Sequence, residues 1–272
     1  MILRKLRRIP DHLRPRRLHV YGIGTGKSGT TTLARMFGDY RAAHELDARH
    51  LVPIATAVIS GELAPDTPRV RLALRRRAAR FHLEVDAAGF LNPLAATLAS
   101  LSPDARFVVT LRDCFSWVDS RIEWDLRYQD AQDPVFSPLA AAYYAKYPMD
   151  FAPEEAPLRD AGVQPLDTYL RSWAERNAGA LRAAAPERVL VLRTEDLDGA
   201  ADDLARFAGV PVGTVHAAHA NSNSNRVGVL ARLPRDFVVE RARRHCAEIM
   251  ETYWGPDWCN LQNRLPARPP AR

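Results

Sequence analysis

The sequence predicts an α/β fold in which helices flank a central parallel β-sheet. Two nearly all-apolar segments, 105–111 (ARFVVTL) and 188–192 (RVLVL), are typical of strands buried on both faces of a sheet. A third strand is predicted at 17–22 (RLHVYG), and it breaks into a loop rich in Gly and Thr before a helical segment at 30–37. Strands that alternate with helices favour right-handed parallel crossovers, and ligands then bind at the carboxyl ends of the strands.

Helical and strand patterns continue along the chain. The short segment 40–45 (YRAAHE) separates the first helix from the next one. The pattern further predicts a strand at 81–85 (FHLEV) and helices at 48–59, 68–80, 90–101 and about 234–253. The arginine run 75–77 on the second of these helices is interpreted as a solvated face.

We expect one globular domain over residues 18–256, with a basic arm (1–17) before it and a Pro- and Arg-rich tail (257–272) after it. The end of that tail, LQNRLPARPPAR, is expected to be poorly ordered. Within the domain, 130–165 is rich in Pro, Tyr, Asp and Ala and has weak periodicity. It is either a substrate-facing insertion or a loop with short helices.

The net charge of +6 is concentrated in the arm. Of the 38 basic and 32 acidic residues, seven basic and one acidic lie in 1–17, which leaves 31 of each in the rest of the chain. Because the body of the chain is formally neutral, we expect no nucleic-acid partner. The arm is a solvated leader or surface helix, or alternatively a peripheral contact with an anionic membrane or polymer.

Several classes of protein are excluded by what the sequence lacks. No stretch reaches the roughly 18 to 20 apolar residues of a membrane span, and the N-terminus has no secretory h-region, so we expect a cytoplasmic protein. The three cysteines are widely spaced without a CxxC pair, which indicates neither a disulfide framework nor a zinc site. His216 and His219 have no nearby Cys, Asp or Glu, and no metal site is expected.

The segment 22–37 (GIGTGKSGTTTLARMF) has the features of an oxyanion site. A helix N-terminus presents backbone N–H groups and a positive dipole to an anion, and the glycines let the chain approach a phosphate closely. The predicted ligand residues are a lysine flanked by glycines, followed by hydroxyl side chains: Gly26, Lys27, Ser28, Gly29, Thr30, Thr31 and Thr32.

A nucleotide kinase with a Walker A loop is the alternative interpretation of this segment. Only three residues lie between Gly22 and Gly26, one fewer than the Walker A pattern requires, and the preceding position is Tyr21. A P-loop kinase with an atypical loop therefore stays open as the second candidate enzyme.

The loop resembles the first signature of sulfotransferases that use the donor 3′-phosphoadenosine 5′-phosphosulfate (PAPS), in which Lys or Arg precedes Ser-Gly-Thr at a helix start. The segment 109–121 (VTLRDCFSWVDSR) resembles their second signature, because Ser120 follows the strand-end Arg112 by eight positions. Family members often have Pro at the position of Cys114, a departure that concerns the turn. The segment 189–212 is similar to the family's strand, Arg-x-Glu-Asp-Leu turn and helix; we expect Glu195 and Asp196 to cap a helix that starts near Leu197.

The resemblance implies a P-loop NTPase-like sulfotransferase fold, PAPS as donor and PAP as product. Residues Gly26 to Thr32 would hold the phosphosulfate, with Lys27 at the leaving group, and the positive field of Lys27 and the backbone amides would make a metal unnecessary. Arg112 and Ser120 would bind the 3′-phosphate that distinguishes PAPS from ATP. Arg226, in the polar loop 220–230, is the candidate for a second contact with that phosphate.

Glu45 is the first candidate for the catalytic base, because glycan- and tyrosine-directed sulfotransferases carry a catalytic Glu after the first helix. Glu84, His44, His82 and the absence of any base remain alternatives, and His44 and Glu45 should point to opposite faces of a strand. The acceptor hydroxyl or amine belongs to a small metabolite, a lipid or a glycan, and the sequence does not predict an oligomeric state. A non-catalytic PAP-binding or scaffold protein is the remaining alternative.

Overall fold

A computed structural model describes residues 14–128, 133–219 and 226–265 of the chain. In these residues five parallel strands form one sheet in the order β2-β3-β1-β4-β5. The strands are β1 Val20–Gly22, β2 Ala42–His44, β3 Val85–Ala87, β4 Arg106–Leu111 and β5 Val189–Arg193. The predicted α/β fold with a central parallel sheet is thus confirmed.

Helices cover both faces of this sheet. The α-helices are α1 Thr30–Met36, α2 Ala48–Ile59, α3 Pro68–Phe81, α4 Ala95–Leu101, α5 Cys114–Tyr128, α6 Phe136–Tyr144, α7 Ala156–Asp160, α8 Leu166–Leu181, α9 Ala201–Ala208 and α10 Arg235–Trp254. Short 3₁₀ helices lie at Gly89–Leu94, Pro153–Glu155, Pro186–Arg188, Thr194–Gly199, Leu230–Arg232 and Trp258–Arg264. Of the helices that the structure describes, none is long and apolar enough to cross a membrane.

Strand β4 shows why the sequence there is almost entirely apolar. Phe107, Val109 and Leu111 pack into the larger core, together with residues of α2, α4, α5, α8 and α10. Val108 points to the other face and packs with α1 and α9. Since successive residues of a strand face opposite sides, a central strand with a core on each side is mostly apolar, and its one buried polar residue, Thr110, has a hydrogen-bond partner in Ser28.

Two predicted elements are wrong in their bounds or type. Phe81 is the last residue of α3, and His82 ends that helix with a φ of +47°, so the strand starts only at Val85. A strand of three residues is too short for alternation to mark its ends. The predicted helix 90–101 begins as a 3₁₀ helix and becomes α4 only at Ala95, because Pro93 has no N–H to donate to an α-helical turn.

Arg77 corrects the interpretation of the arginine run as a solvated face. Its side chain is only 7% exposed and pairs with the buried Asp86 of β3, and its Nη2 also donates to the carbonyl of Leu46 at 2.8 Å. Arg75 and Arg76 are exposed, as expected. The three side chains separate because they lie 100° apart around a helix, and only Arg77 shares a face with the buried Val70 and Leu74.

Helix α8 was not predicted, although it is one of the most buried elements. Tyr169, Leu170 and Trp173 are almost fully buried between the sheet, α5 and α10. The preceding segment, 133–165, contains α6, α7 and a 3₁₀ helix, in agreement with a loop that carries short helices. In the segment predicted to be a tail, Trp258 is buried and stacks on Phe115; residues 266–272 of that tail and 1–13 of the arm lie outside the described residues.

Candidate active site

The loop between β1 and α1 lies at the carboxyl edge of the sheet, directly over β4. The N–H of Ile23 donates to the carbonyl of Val108 at 2.9 Å, which carries the chain across the sheet edge. A Cβ on Gly24 would lie 2.6 Å from the Thr110 carbonyl oxygen, so only glycine fits at this approach. Gly29 starts α1 with a φ of +102°, and the first N–H groups of that helix have no helical acceptor.

Side chains from four other elements bind the carbonyl oxygens of this loop. Asn92 Nδ2 donates to Ile23 O at 3.0 Å, and Trp117 Nε1 donates to Gly26 O at 2.8 Å. The other two donors are Arg112 Nη1 to Lys27 O at 3.1 Å and Thr194 Oγ1 to Ser28 O at 2.7 Å. The loop carbonyls therefore point into the protein, which leaves N–H groups to face a ligand.

Asn92, Trp117 and Thr194 were missed by the sequence reasoning as residues of the site. Trp117 lies inside the second signature and Thr194 inside the third, but no spacing rule relates them to the loop. Asn92 is in a 3₁₀ helix after β3, and its amide also donates to the carbonyl of Arg176 at 3.1 Å. These contacts join residues far apart in sequence, so only the fold identifies them.

Ser28 requires a correction, because its hydroxyl is used inside the loop. The side chain is fully buried; Oγ donates to Thr25 O at 2.6 Å and lies 3.0 Å from Thr110 Oγ1. Its N–H lies 3.2 Å from the same Thr25 carbonyl. Ser28 therefore holds the turn in shape, and its hydroxyl is not directed at a ligand as expected from the sequence.

Thr30 and Thr31 contact His44 at the end of β2. Their Oγ1 atoms lie 3.0 and 3.3 Å from His44 Nε2, while Thr32 is buried in the same turn of α1. Burial and the nearby Arg35 charge lower the pKa of His44 to about 4. The imidazole is therefore neutral at pH 7 and fixes the first turn of α1 through its Nε2 atom.

Lys27 and Glu45 influence each other's ionisation. Burial lowers the pKa of Lys27, and the positive charges of Arg112, Arg121 and Arg127 lower it further, whereas Glu45 opposes this effect. Burial raises the pKa of Glu45, and Lys27 opposes that rise. The two side chains thus share one electrostatic environment, in which positive charge predominates.

His44 and Glu45 do not point to opposite faces, contrary to the expectation for neighbouring strand residues. Glu45 already lies beyond the strand, with a φ of +54°, while its N–H donates to Ala87 O at 3.1 Å. This left-handed conformation turns the chain, so that His44 Nε2 and Glu45 Oε1 are 4.0 Å apart. Both side chains consequently lie beside the phosphate loop.

Glu84 and His82, the other candidates for a base, lie at the opposite edge of the sheet. The Glu84 carboxylate has no exposed surface and accepts hydrogen bonds from the N–H, Nε and Nη2 of Arg17 at 2.8 to 3.0 Å. The N–H of Arg41 donates to it at 2.9 Å. Burial acts to raise the pKa of Glu84, but the bonds from Arg17 and Arg41 outweigh it and lower the pKa to about 2. Glu84 is therefore a structural anion.

Arg112 donates to the loop carbonyl of Lys27, and Arg226 contacts helix α5 next to Ser120. Arg112 directly follows β4, and Ser120 lies in the second turn of α5. Arg226 pairs with Asp119, whose side chain is 1% exposed and which directly precedes Ser120. Burial is the main cause of a lowered pKa of Arg112, and the charge of Arg226 adds to it, which shows that the two guanidinium groups interact.

Helix α5 also holds the chain that carries Arg226. The Glu123 carboxylate, one turn after Asp119, accepts the N–H groups of Val227 at 2.9 Å and Gly228 at 2.7 Å. The buried acids Asp119 and Glu123 thus fix Arg226 and the two residues that follow it against α5. The rest of the polar loop, residues 220–225, lies outside the described residues.

Glu195 and Asp196 do not cap a helix, contrary to expectation. They belong to the 3₁₀ helix Thr194–Gly199, and α9 begins only at Ala201. Glu195 Oε1 accepts Trp254 Nε1 at 2.8 Å, and Asp196 pairs with Arg193. Their role is structural, because they attach the turn that carries Thr194 to α10 and β5.

The chain is an α/β protein in which a glycine-containing loop with Lys27 lies at the carboxyl ends of β1 and β4, and Arg112 donates to a carbonyl of that loop. A family model described as a sulfotransferase domain matches residues 19–226. The chain therefore belongs to the sulfotransferase family and is a transferase. In the described part of the chain, no three His, Cys, Asp or Glu side chains are grouped in a way that could hold a metal ion.

Among solved structures, the chain is similar to a sulfotransferase from Alicyclobacillus acidocaldarius. The match has a TM-score of 0.51 and 17% sequence identity, and it covers 89% of this chain and 98% of that one. At this identity the likeness supports the fold alone. No curated protein matches the chain in sequence.

Proposed function

We propose that this sulfotransferase moves a sulfuryl group from PAPS to a hydroxyl or amine of its acceptor and releases PAP. The observation that carries the proposal is that Lys27, Arg112 and Arg226 influence one another's charge beside a loop with four carbonyls held by side chains of the protein. A donor with a 5′-phosphosulfate and a 3′-phosphate needs two cationic subsites. The loop with Lys27 forms one subsite, and Arg112, Ser120 and Arg226 form the other.

The residues present fit such a donor. No atom lies within 4 Å of the place that a Cβ on Gly26 would occupy, so the loop has open space beside its central residue. The lowered pKa of Lys27 reflects repulsion from nearby arginines in addition to burial, and a bound anion would relieve that repulsion. When bound, PAPS supplies the sulfuryl group and a leaving phosphate.

Lys27 and the N–H groups at the start of α1 have the role of stabilising negative charge on the leaving phosphate oxygen. A preorganised lysine and helix N-terminus do this without reorganising during the reaction. Arg112, Ser120 and Arg226 hold the nucleotide in register, so that positioning accounts for the rest of the catalysis, by analogy with phosphoryl transfer. In this proposal the residues of the chain supply the positive field and no metal is needed.

Glu45 is the proposed base that removes the proton from the acceptor. Its side chain is 38% exposed, so an acceptor can reach it, and its pKa is raised by burial, which makes the carboxylate a stronger base than an ordinary Glu. The nearby charge of Lys27 opposes that rise in the pKa. The acceptor itself is a small metabolite, a lipid or a glycan.

Titration calorimetry with PAP, with and without magnesium, tests the donor. We expect PAP to bind without magnesium and to bind more tightly than ADP, which lacks the 3′-phosphate; Arg112→Ala should remove most of that difference. No PAP binding, or a strict requirement for magnesium together with binding of ATP, would favour the P-loop kinase.

A second experiment identifies the acceptor: labelled PAPS is incubated with a cell extract, and the sulfated product is analysed by mass spectrometry. PAP binding without any transfer would favour the non-catalytic alternative.

A further inference from the structure

The outer face of α3 is a basic surface that the proposed reaction does not use. We define the outer face by the exposed residues Arg69, Leu72, Arg75, Arg76, Ala79 and Arg80. These positions recur every three to four residues and so form one stripe along the helix. The inner face, with Val70, Leu74 and Arg77, is buried against the protein.

The positive charge of the outer face is not compensated locally. Arg69, Arg75 and Arg76 have no acidic partner in the residues that the structure describes, and Arg80 lies against the ring of Phe81, 4.9 Å from its centroid. Asp66, just before the helix, pairs with Arg71 on the flank of α3. Because the chain after residue 17 is formally neutral as a whole, this stripe is a strong local deviation.

The basic N-terminal arm joins the described structure beside this helix. Arg16 donates from Nε to Leu83 O at 2.8 Å and from Nη2 to Ala78 O at 3.2 Å, which attaches the chain to the last turn of α3. The first ten residues of the chain, MILRKLRRIP, carry four basic side chains. The described end of the arm is therefore attached to the last turn of α3.

We propose that the outer face of α3 docks the enzyme on an anionic lipid membrane. The positive charge of this face favours an anionic partner, and the exposed Leu72 favours a lipid membrane over a water-soluble polyanion. Leu72 is 48% exposed at the centre of the arginine stripe, where an apolar side chain can enter the boundary between headgroups and acyl chains. A nucleic acid or a sulfated polymer offers no apolar layer there. The long arginine side chains reach phosphate headgroups at the same depth.

Vesicle flotation tests the proposal with phosphatidylcholine vesicles that contain roughly 30% phosphatidylserine, and with pure phosphatidylcholine as reference. The wild-type chain should bind only the anionic vesicles, and binding should fall when the salt is raised from about 0.1 M to about 0.5 M. Each basic residue near an anionic surface contributes about fivefold to binding, so removing the four arginines should weaken it by about a hundredfold or more. That variant is R69Q/R75Q/R76Q/R80Q.

A second quadruple variant controls for total charge. It removes four exposed arginines from α8, α9 and α10. Because salt screens the attraction between the membrane and charges far from the docking face, this variant should bind the vesicles within about threefold of wild type. The control is R171Q/R206Q/R243Q/R244Q. Equal loss in both quadruple variants, or no binding of the wild type, would overturn the proposal. PAP affinity should be unchanged in both, which makes the result independent of the proposed reaction.

The variant Leu72→Ser distinguishes binding to a lipid membrane from binding to a polyanion. It should weaken vesicle binding several-fold and leave any retention on heparin unchanged, because only a membrane buries the leucine. Heparin binding stronger than vesicle binding, with no effect of Leu72→Ser on either, would mean that the face binds a polyanion.

A variant of the basic arm, R4Q/K5Q/R7Q/R8Q, tests whether the arm and not the outer face of α3 binds the vesicles. If it abolishes vesicle binding while the α3 variant does not change it, the outer face is not the docking site.

Discussion

Glu45 and Glu84 are two glutamates at opposite edges of the same sheet, and they differ both in burial and in the donors that reach them. Glu84 is completely buried, yet its pKa is lowered to about 2, because Arg17 and Arg41 donate to both carboxylate oxygens. Glu45 is more exposed, yet its pKa is raised, because burial acts on it with only the charge of Lys27 in opposition. Hydrogen-bond donors, and not burial, therefore decide which carboxylate can take up a proton.

The comparison assigns a different consequence to the loss of each charge. A carboxylate that is saturated with donors contributes to the free energy of unfolding, whereas one left without donors is available to an acceptor. The first should matter for stability and the second for turnover.

The largest expected effect is on turnover in Glu45→Gln. Removing a positioned base lowers kcat by about a thousandfold, while PAP affinity should stay within about threefold because the amide is isosteric. Steady-state kinetics with labelled PAPS and calorimetry with PAP measure the two quantities. Near-normal turnover would mean that Glu45 is not the base, and His44 would become the first candidate.

Glu84→Gln should have the opposite profile. Neutralising this carboxylate leaves Arg17 and Arg41 without their anion and should lower the free energy of unfolding by about 2 to 3 kcal/mol, measured by urea denaturation. Turnover of the folded enzyme should remain close to normal. Glu175→Gln is the matched control: Glu175 pairs with Lys146 while about half exposed, and its loss should cost less than about 0.5 kcal/mol. A variant that loses turnover but keeps its free energy of unfolding would contradict the structural role of Glu84.

The pH dependence of activity and of stability should separate for the same reason. The Glu84 pKa is lowered in the folded state, so its contribution to stability is present above the ordinary Glu pKa of about 4.3 and is lost as the pH falls from there through about 2. The Glu45 pKa is raised, and Glu45 acts as the anion, so kcat should begin to fall at a higher pH, by about tenfold per pH unit. As the pH is lowered, turnover should therefore fall while the protein is still folded. If kcat falls only at the pH at which the protein unfolds, the pH dependence gives no support to Glu45 as the base.

The smallest expected effect is that of His44. Because neutral His44 orients Thr30 and Thr31 and does not take up the proton, His44→Ala should lower kcat by about tenfold. His44→Gln, whose amide can contact the same hydroxyls, should recover most of this loss without moving the acidic limb of the pH profile. A loss as large as that in Glu45→Gln, with no recovery in the glutamine variant, would identify His44 as the base.

Sequence reasoning located the parts of the site that are contiguous in the chain. The loop around Lys27 lies within one strand–loop–helix unit, and the spacing from Arg112 to Ser120 lies within the next strand and helix, so a local pattern carries both. Family membership, which residues 19–226 confirm, was predicted from these two segments. The site residues themselves remain predictions.

Other expectations failed where a single backbone angle or a distant partner decided the result. His82 and Glu45 both have a positive φ. At His82 this conformation ends a helix where a strand was predicted. At Glu45 it places the side chains of His44 and Glu45 beside each other. Ser28 turned inward because Thr110 of β4 lies beneath it. Neither event has a periodic signal in the sequence.

The α/β class with its parallel sheet and the family were readable from the sequence, because apolar runs, turn residues and short spacings are local properties. Only the tertiary structure decided which ionisable groups face solvent, a ligand or one another. It buried Arg77 and Glu84 with opposite charges, left Glu45 beside Lys27, and put Asn92, Trp117 and Thr194 on the loop carbonyls. A pKa and a hydrogen bond depend on atoms a few ångströms away in space, and these come from segments that lie tens of residues apart in the chain.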